Sequence, residues 1–536
     1  MRDSTPPAAP QTAVPWVEIA VVLLVALACG LPSLSLPLGR DHGIGLYIGE
    51  VIAGGGAPYV DAWDIKPPGV LYLNALVSLV LGKHPWSLRL FDLLWQAATA
   101  LSLLALGRRW FGNVTGLTAG LLYPAAYFFG HDFWHLANFD AFLALPMTLT
   151  LLCLSGTRRT TDLLAGLLVG LVFLARFTHG LLFLPVIAWL LWPDAEGGAY
   201  AWKPRLQRFG FVCGGFFLPV AAFLLHMLLT GGFGEFFYTL FVFAPQYAVT
   251  TASVLDVEFW RLLRRVFGDF IVRHALTAVP GLLAALSLVA AKKRDRRGVT
   301  VVVWLLATFV GFAIMGKFFA YHWLPLFAPL ALLAGLFVQW IADLFRERRR
   351  AWAIAGIVVF VAAAGLFLWR VGDTNLTRAG HTWNLAIGRL DRAAHLRSFD
   401  SVDQGGDFSA TANYGVAAYL RDHTEAEDGV FVWGFEQLIY YLSDRRPPTR
   451  FCSNFALSAA WRPAAWVREL EDDLRRRPPA YVVLVTQDVM PWVTGHGLDS
   501  LGILRRDFRT LAEWISHHYD VETQIGNMLV CRRRGP

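Results

Sequence analysis

The sequence is poor in charge. Only 16% of its 536 residues are Asp, Glu, Lys or Arg, against roughly 25% in an average soluble domain. That is too little to coat a water-facing surface, and it excludes a purely soluble enzyme as well as a disordered chain. Cysteine is also scarce, with five in the chain, and no zinc-type Cys/His spacing appears. Lysine is missing altogether after residue 370. The net charge of +7 is no nucleic-acid signal, because it has neither a basic face nor an RNA-binding motif behind it. Over residues 1–370 there are 28 basic and 19 acidic residues, and over 371–536 there are 19 and 21. All of the positive excess therefore lies in the greasy part.

What is present is apolar sequence: 56% of residues are hydrophobic and the mean hydropathy is +0.47. Crossing ~30 Å of hydrocarbon takes about 20 apolar residues. Runs of that kind lie near 15–36, 86–107, 113–131, 136–155, 161–176, 178–193, 208–230, 272–291, 299–316, 322–343 and 351–370. About eleven spans follow, with 161–176 and 178–193 parted only by Phe177. Basic clusters occur at Arg108–Arg109, Arg158–Arg159, Lys203/Arg205/Arg208, Lys292 to Arg297 and Arg346 to Arg350, after every second span. The positive-inside rule makes these the cytoplasmic loops, with the N-terminus inside and residues 371–536 outside. The first run reads as a retained span. A cleaved signal would start with more charge, and Ala26-Leu27-Ala28-Cys29 lacks the Leu expected three residues before a lipoprotein cysteine. Cys29, Cys153 and Cys213 fall within spans, where a small hydrophobe suffices. Cys452 and Cys531 lie outside, where a disulfide is permitted, and their spacing does not say whether they pair.

The outward loops carry the chemistry. Arg40 to Pro85 holds Asp41, Glu50, Asp61 and Asp64 among Gly and Pro residues, so it is not one helix. Its apolar stretch 69–82 is too short to span and suits a helix lying at the interface. Asp41, at the outer end of a span, is a candidate base or ion site, with a helix-end charge as the plainer account. For Asp61 and Asp64 the plainer account is turn chemistry. Further polar residues recur at outward ends: His131, Asp132, His135, Asn138 and Asp140; Arg176 and His179; Lys317, Tyr321 and His322. Snorkelling explains a single cation there, but Asp140 is followed at once by apolar sequence and is costly unless it faces a cavity. Val257 to Phe267 reads as an amphipathic interfacial helix. Carboxylates and cations collected at one depth from several loops suit an anionic, lipid-borne substrate.

The run Arg40-Asp41-His42-Gly43, Tyr47, then Gly56-Ala57-Pro58-Tyr59-Val60-Asp61-Ala62-Trp63-Asp64-Ile65-Lys66-Pro67-Pro68-Gly69 resembles the first outward loop of GT-C glycosyltransferases. It is similar to glycosyltransferase family 39-like bacterial enzymes related to protein O-mannosyltransferases and lipid A aminoarabinose transferases. Asn138-Phe139-Asp140 and the Lys317 to Leu330 segment also look like that family, and the resemblance covers most of 15–370. It implies a polytopic α-helical membrane protein. It also implies an inverting transfer of a sugar from a polyprenyl-phosphate donor to a hydroxyl on a glycolipid, polysaccharide or protein, at the outer face of the bacterial cytoplasmic membrane. By resemblance Asp41 is the catalytic base or acceptor-orienting carboxylate, and Lys66 lies near the donor phosphate; a departing phosphate needs cations, and Arg176, Lys317 or His322 can assist Lys66 there. His42, Tyr59, Asp61, Asp64 and Asp140 fall on the acceptor or sugar side. Relatives commonly have Glu where His42 stands, which weighs against a two-carboxylate or metal-bridged mechanism. The cofactor question stands open between none and a divalent metal.

After residue 370 the composition shifts. A linker near 371–408 and a compact outward α/β unit over 409–536 are expected, with helices at 410–421 and 462–477 and strands at 430–434, 480–485 and 527–531. No Gly-rich phosphate loop or nucleophile elbow occurs in it. Trp433, Trp461, Trp466 and Trp492 suit core packing better than sugar stacking. Acceptor recruitment or a lid over the membrane site is the role expected for the unit. Two other classes stay open on the sequence: a lipid-linked-sugar transporter or flippase without chemistry, and an inactive accessory subunit of the same fold. Against the former stands the lack of paired inverted repeats of broken helices.

Overall fold

The computed structural model describes residues 15–192, 202–249, 257–292, 295–402 and 406–535. The expected cytoplasmic position of residues 1–14 and any role of the Trp492 side chain lie outside the described set. Up to residue 386 the helices are α1 (Trp16–Gly30), α2 (Arg40–Ala53), α3 (Pro68–Leu81), α4 (Ser87–Phe111), α5 (Asn113–Gly130), α6 (Ala144–Leu154), α7 (Arg159–Ala175), α8 (Phe183–Leu191), α9 (Trp202–Leu229), α10 (Phe233–Phe237), α11 (Ala244–Val249), α12 (Val257–Arg273), α13 (Ala275–Ala290), α14 (Arg296–Ile314), α15 (Phe327–Arg346) and α16 (Arg350–Ala386). Short 3-10 turns precede α6, α8 and α15, at Phe139–Phe142, Phe177–Leu182 and Ala320–Leu326.

Each of the eleven apolar runs is helical, as hydrocarbon demands of a backbone with no water to bond. By length and composition alone, six of the described helices qualify as spans, or seven if the bent pair α12–α13 counts as one. The break between 161–176 and 178–193 is real: α7 stops at Ala175, and Arg176 is extended before the 3-10 turn. α12 buries Phe259, Leu263 and Phe270 on one face and exposes Arg261, Arg264 and Arg265 on the other. It meets α13 at 110°, the geometry of an amphipathic helix leaving a span. α3 is buried along one side and exposes Leu76, Leu79 and Val80 on the other. Backbones pack closely where side chains are small: a Cβ on Gly166 of α7 would collide with the Val212 carbonyl of α9.

Residues 371–408 differ from the linker expected. α16 has 37 residues, about 55 Å at 1.5 Å per residue, so it continues well beyond a hydrocarbon thickness. Its last turns pack on the bundle: Asn375 donates to the Phe129 carbonyl, Arg378 to the His131 carbonyl, and Thr382 pairs with Ser35. Beyond it, His395 is hydrogen-bonded to the Ser35 carbonyl. The residues that lengthen this helix are polar, which is why hydropathy alone ended the run at 370.

The C-terminal unit is a four-stranded sheet, β1 (Val430–Trp433), β2 (Tyr481–Val485), β3 (Tyr519–Ile525) and β4 (Met528–Arg533), in the order β1-β2-β4-β3. β1 and β2 are parallel, with Val430 opposite Tyr481, and the other pairs are antiparallel. β3 is largely exposed, so it carries no apolar run and gives no strand signal in the sequence. Cys452 and Cys531 are both free thiols. They pack in separate clusters on opposite faces of the sheet, and Cys452 Sγ donates to the Trp63 carbonyl instead. Trp433 and Trp466 are core residues.

The unit sits directly on α2. A Cβ on Gly43 would lie 2.6 Å from the Leu438 backbone, so the two elements touch without a side chain between them. Gly43→Ala is therefore expected to cost about 1–3 kcal/mol and to loosen the C-terminal unit. Limited proteolysis would show faster cleavage within 409–536, and wild-type resistance would refute the contact.

Candidate active site

One end of the helical bundle and the C-terminal unit enclose a cavity of about 560 Å³. Its wall includes Asp41, Asp64, Lys66, Arg176, Lys317 and His322, six residues from distant parts of the chain.

Asp41 lies in the first turn of α2, where the helix dipole favours a carboxylate. Lys66 Nζ is 3.2 Å from its Oδ1, and Asn138 Nδ2 donates to its Oδ2 at 3.3 Å. The side chain keeps 25% of its surface, enough to meet a substrate. Burial alone would raise this carboxyl, but Lys66 and the Asn138 hydrogen bond outweigh it and hold Asp41 below the usual carboxylate range.

The Lys66 backbone is set by a turn. Asp64 Oδ1 accepts the Lys66 N–H at 2.9 Å, the Tyr59 hydroxyl donates to the Lys66 carbonyl at 2.8 Å, and Pro67-Pro68 then open α3. Lys66 Nζ also lies 3.7 Å from Asp64 Oδ1 and stands over the Phe139 ring at 5.0 Å. Burial opposes its charge, but the two carboxylates prevail and raise its pKa. Burial in turn raises Asp64 despite Lys66.

Across the cavity, Arg176 makes a bidentate pair with Asp140, Nε to Oδ1 at 2.7 Å and Nη2 to Oδ2 at 2.5 Å. Asp140 uses two of the five guanidinium N–H groups, and the residue still lines the cavity. His322 Nε2 is 3.8 Å from Asp140 Oδ2. Lys317 sits 3.8 Å over the Tyr247 ring, and burial lowers its pKa to about 8.

Four residues expected on the acceptor or sugar side are elsewhere. His42, one residue past Asp41, points about 100° away around the helix. Its Nδ1 accepts the Gly39 N–H at 2.9 Å, so Nε2 must donate to the Leu136 carbonyl at 2.9 Å, and neither nitrogen is left for a ligand. Tyr59 is fully buried and acts through the Lys66 carbonyl. Asp61 accepts the Ala57 N–H within its own turn. Asp140 is 1% exposed and buttresses Arg176 from behind. Of that group only Asp64 reaches the cavity.

The cavity also takes residues that carried no signal in the sequence: Tyr247 of α11, and Phe435 and Phe455 of the C-terminal unit. Arg40 was legible only as Asp41's neighbour. It bonds Glu436 through Nε at 2.8 Å and Asp407 through Nη1 at 2.9 Å, clamping α2 to the C-terminal unit. On the other flank Arg450 donates to the Tyr59 carbonyl and pairs with Glu235 and Glu469. Lys66 Nζ stands between Asp41 and Asp64, where a bridging cation would have to sit. Among the described residues no three His, Cys, Asp or Glu side chains converge on a metal position. This donor set does not fit a divalent ion.

The many-helix bundle and its terminal α/β unit have a fold similar to that of GT-C membrane proteins of known structure. Residues 65–226 match the family described as dolichyl-phosphate-mannose-protein mannosyltransferase. Among solved structures the chain is similar to ArnT from Cupriavidus metallidurans bound to undecaprenyl phosphate, at 16% identity and a TM-score of 0.59, covering 98% of this chain and 100% of that one. The apo form of ArnT matches at 16% identity and a TM-score of 0.58, over 97% and 99% of the two chains. The Archaeoglobus fulgidus oligosaccharyltransferase in the apo form matches at 13% and 0.51, over 87% and 69%. No curated protein matches the sequence.

Proposed function

We propose that this protein transfers a sugar, with inversion, from a polyprenyl-phosphate carrier to an acceptor hydroxyl at the outer face of a bacterial cytoplasmic membrane. The observation that carries the reading is the part-exposed Asp41 carboxylate sharing one cavity with Lys66, Arg176 and Lys317. A second cavity of about 320 Å³, lined by apolar side chains and Tyr72, supports the lipid carrier. It includes Gly69 and Ala175, close in sequence to Lys66 and adjacent to Arg176, so a polyprenyl tail lying there delivers its phosphate to those cations. Undecaprenyl phosphate bound to ArnT is in keeping with this donor class.

Asp41 takes the proton of the acceptor hydroxyl as its oxygen attacks the anomeric carbon from the face opposite the phosphate. The leaving phosphate has low proton affinity and needs cations more than a general acid; Lys66, Arg176 and Lys317 supply them. Lys66 is Asp41's ion partner. An arriving phosphate competes for that ammonium, weakening its hold on Asp41 and making the carboxylate a better base when the donor is in place. Asp140 and His322 hold Arg176 and the cavity wall. The acceptor is a lipid, polysaccharide or protein hydroxyl, admitted past Phe435 and Phe455.

The decisive experiment incubates purified protein with polyprenyl-phosphate sugars and candidate acceptors. Release of free polyprenyl phosphate supports transfer, whereas movement of intact donor across vesicles without release makes it a flippase. Lys317 gives the reaction an alkaline limb. Its ammonium is present below about pH 8 and is lost as pH rises through that value, so kcat/KM is expected to fall there. Lys317→Met should remove that limb, and a limb unchanged by the substitution would discharge Lys317 from the role.

A further inference from the structure

We propose that a hydrogen-bond network buried between α4 and α5, built from Arg89, Asp92, Gln96 and Tyr127, is a positioning device for the 131–142 loop. Through that loop it acts on Asp41 by way of Asn138, and on Arg176 by way of Asp140.

All four residues are fully buried in an apolar bundle, where polar groups are costly unless they are paired. Arg89, Asp92 and Gln96 fall three and four apart on one face of α4. Arg89 Nη1 donates to the Leu136 carbonyl at 2.7 Å, and Nη2 to those of Phe133 at 2.8 Å and Pro37 at 2.5 Å. The Tyr127 hydroxyl donates to Asp92 Oδ1 at 2.7 Å and accepts the Ala137 N–H at 3.0 Å. Gln96 Nε2 donates to Asp92 Oδ1 at 2.8 Å and to the Ala141 carbonyl at 3.1 Å.

The anchored positions are 133, 136 and 137 on one side and 141 on the other. They bracket Asn138, which donates to Asp41, and Asp140, which grips Arg176. Ala137 has φ of 61°, a left-handed conformation that a non-glycine residue holds only when its surroundings impose it. The Tyr127 hydroxyl bonds that very N–H. Neither catalysis nor ligand contact requires polar side chains at this depth; the loop they hold does.

The inference rests on the proposed reaction, and its test separates the two. Tyr127→Phe keeps the ring and deletes both hydroxyl bonds. Thr150→Val, which removes a buried hydroxyl bonded within α6, serves as the stability control. In Tyr127→Phe, hydrogen–deuterium exchange across 133–141 is expected to speed up. kcat should fall about 10- to 100-fold, the scale of a misplaced catalytic group, with donor KM within about twofold. The acid limb of kcat/KM should move up, because Asn138 no longer steadies the Asp41 carboxylate. Asn138→Ala should give the same limb shift, and the double substitution no further one. Thr150→Val should do none of this. Wild-type exchange across 133–141 in Tyr127→Phe, or equal effects from Thr150→Val, would overturn the inference. A wild-type protein that releases no polyprenyl phosphate refutes the reaction instead, and the exchange data still decide the network.

Discussion

Asp41→Asn should lower sugar transfer by about 10²–10⁴-fold, the usual contribution of a positioned general base, while the protein stays folded and still binds polyprenyl phosphate. Asn matches the carboxylate in shape and keeps a hydrogen-bonding oxygen, so the hydrogen bond from Asn138 can survive, and Lys66 retains Asp64 as an ion partner. What is lost is the capacity to accept a proton. The pH dependence checks the same assignment. Asp41 is held below the usual carboxylate range by Lys66 and Asn138 despite its burial. The base form is therefore present at neutral pH and is lost only as pH falls through that depressed value. The acid limb of kcat/KM, which reports the free enzyme, should lie below that of kcat, which reports the complex with donor phosphate on Lys66. Full transfer by Asp41→Asn would remove the residue from the mechanism.

Lys66→Met should be nearly as damaging for a different reason. The substitution removes a cation aimed at the leaving phosphate, an effect on the scale of about 10²–10³-fold, and it also leaves Asp41 and Asp64 facing one another in a buried site. Donor affinity should fall together with kcat, and the acid limb should move up because Asp41 has lost the partner that kept it ionised. Binding of polyprenyl phosphate by the purified variants separates the two roles. Asp41→Asn should bind as the wild type does, and Lys66→Met should bind weakly. Equal binding by both would show that Lys66 serves Asp41 alone.

These residues were legible because the first loop is dense with signals. Asp41 at a span's end, the Gly and Pro punctuation and the Lys66-Pro67-Pro68 run mark a built loop in an otherwise apolar chain. The same density misled at His42, Tyr59 and Asp61. Their residue types suit ligands, but a helix turns its neighbours apart, and backbone N–H and C=O groups near a buried site must find partners. His42 and Asp61 bond such groups directly, and Tyr59 bonds the carbonyl of Lys66. Asp140 is too costly to leave unpaired among apolar residues, yet it does not face the cavity: it is buried against Arg176, 36 residues on. The Phe435 and Phe455 wall has no sequence signal at all, since an aromatic lining a cavity looks the same as one filling a core.

The sequence by itself determined the membrane-bound helical class, the α/β character of the C-terminal unit, and which loops hold charge. Each of these follows from local composition and periodicity, because the hydrocarbon slab and the sheet each impose a short repeat. Only the tertiary structure decided which charges meet. The Asp41–Lys66 pair, the Asp140–Arg176 pair, the clamp from Arg40 to Glu436 and the network under the 131–142 loop all join residues distant in the chain. Pairing of that kind depends on how helices cross and how loops fold back, and no local repeat in the sequence encodes it.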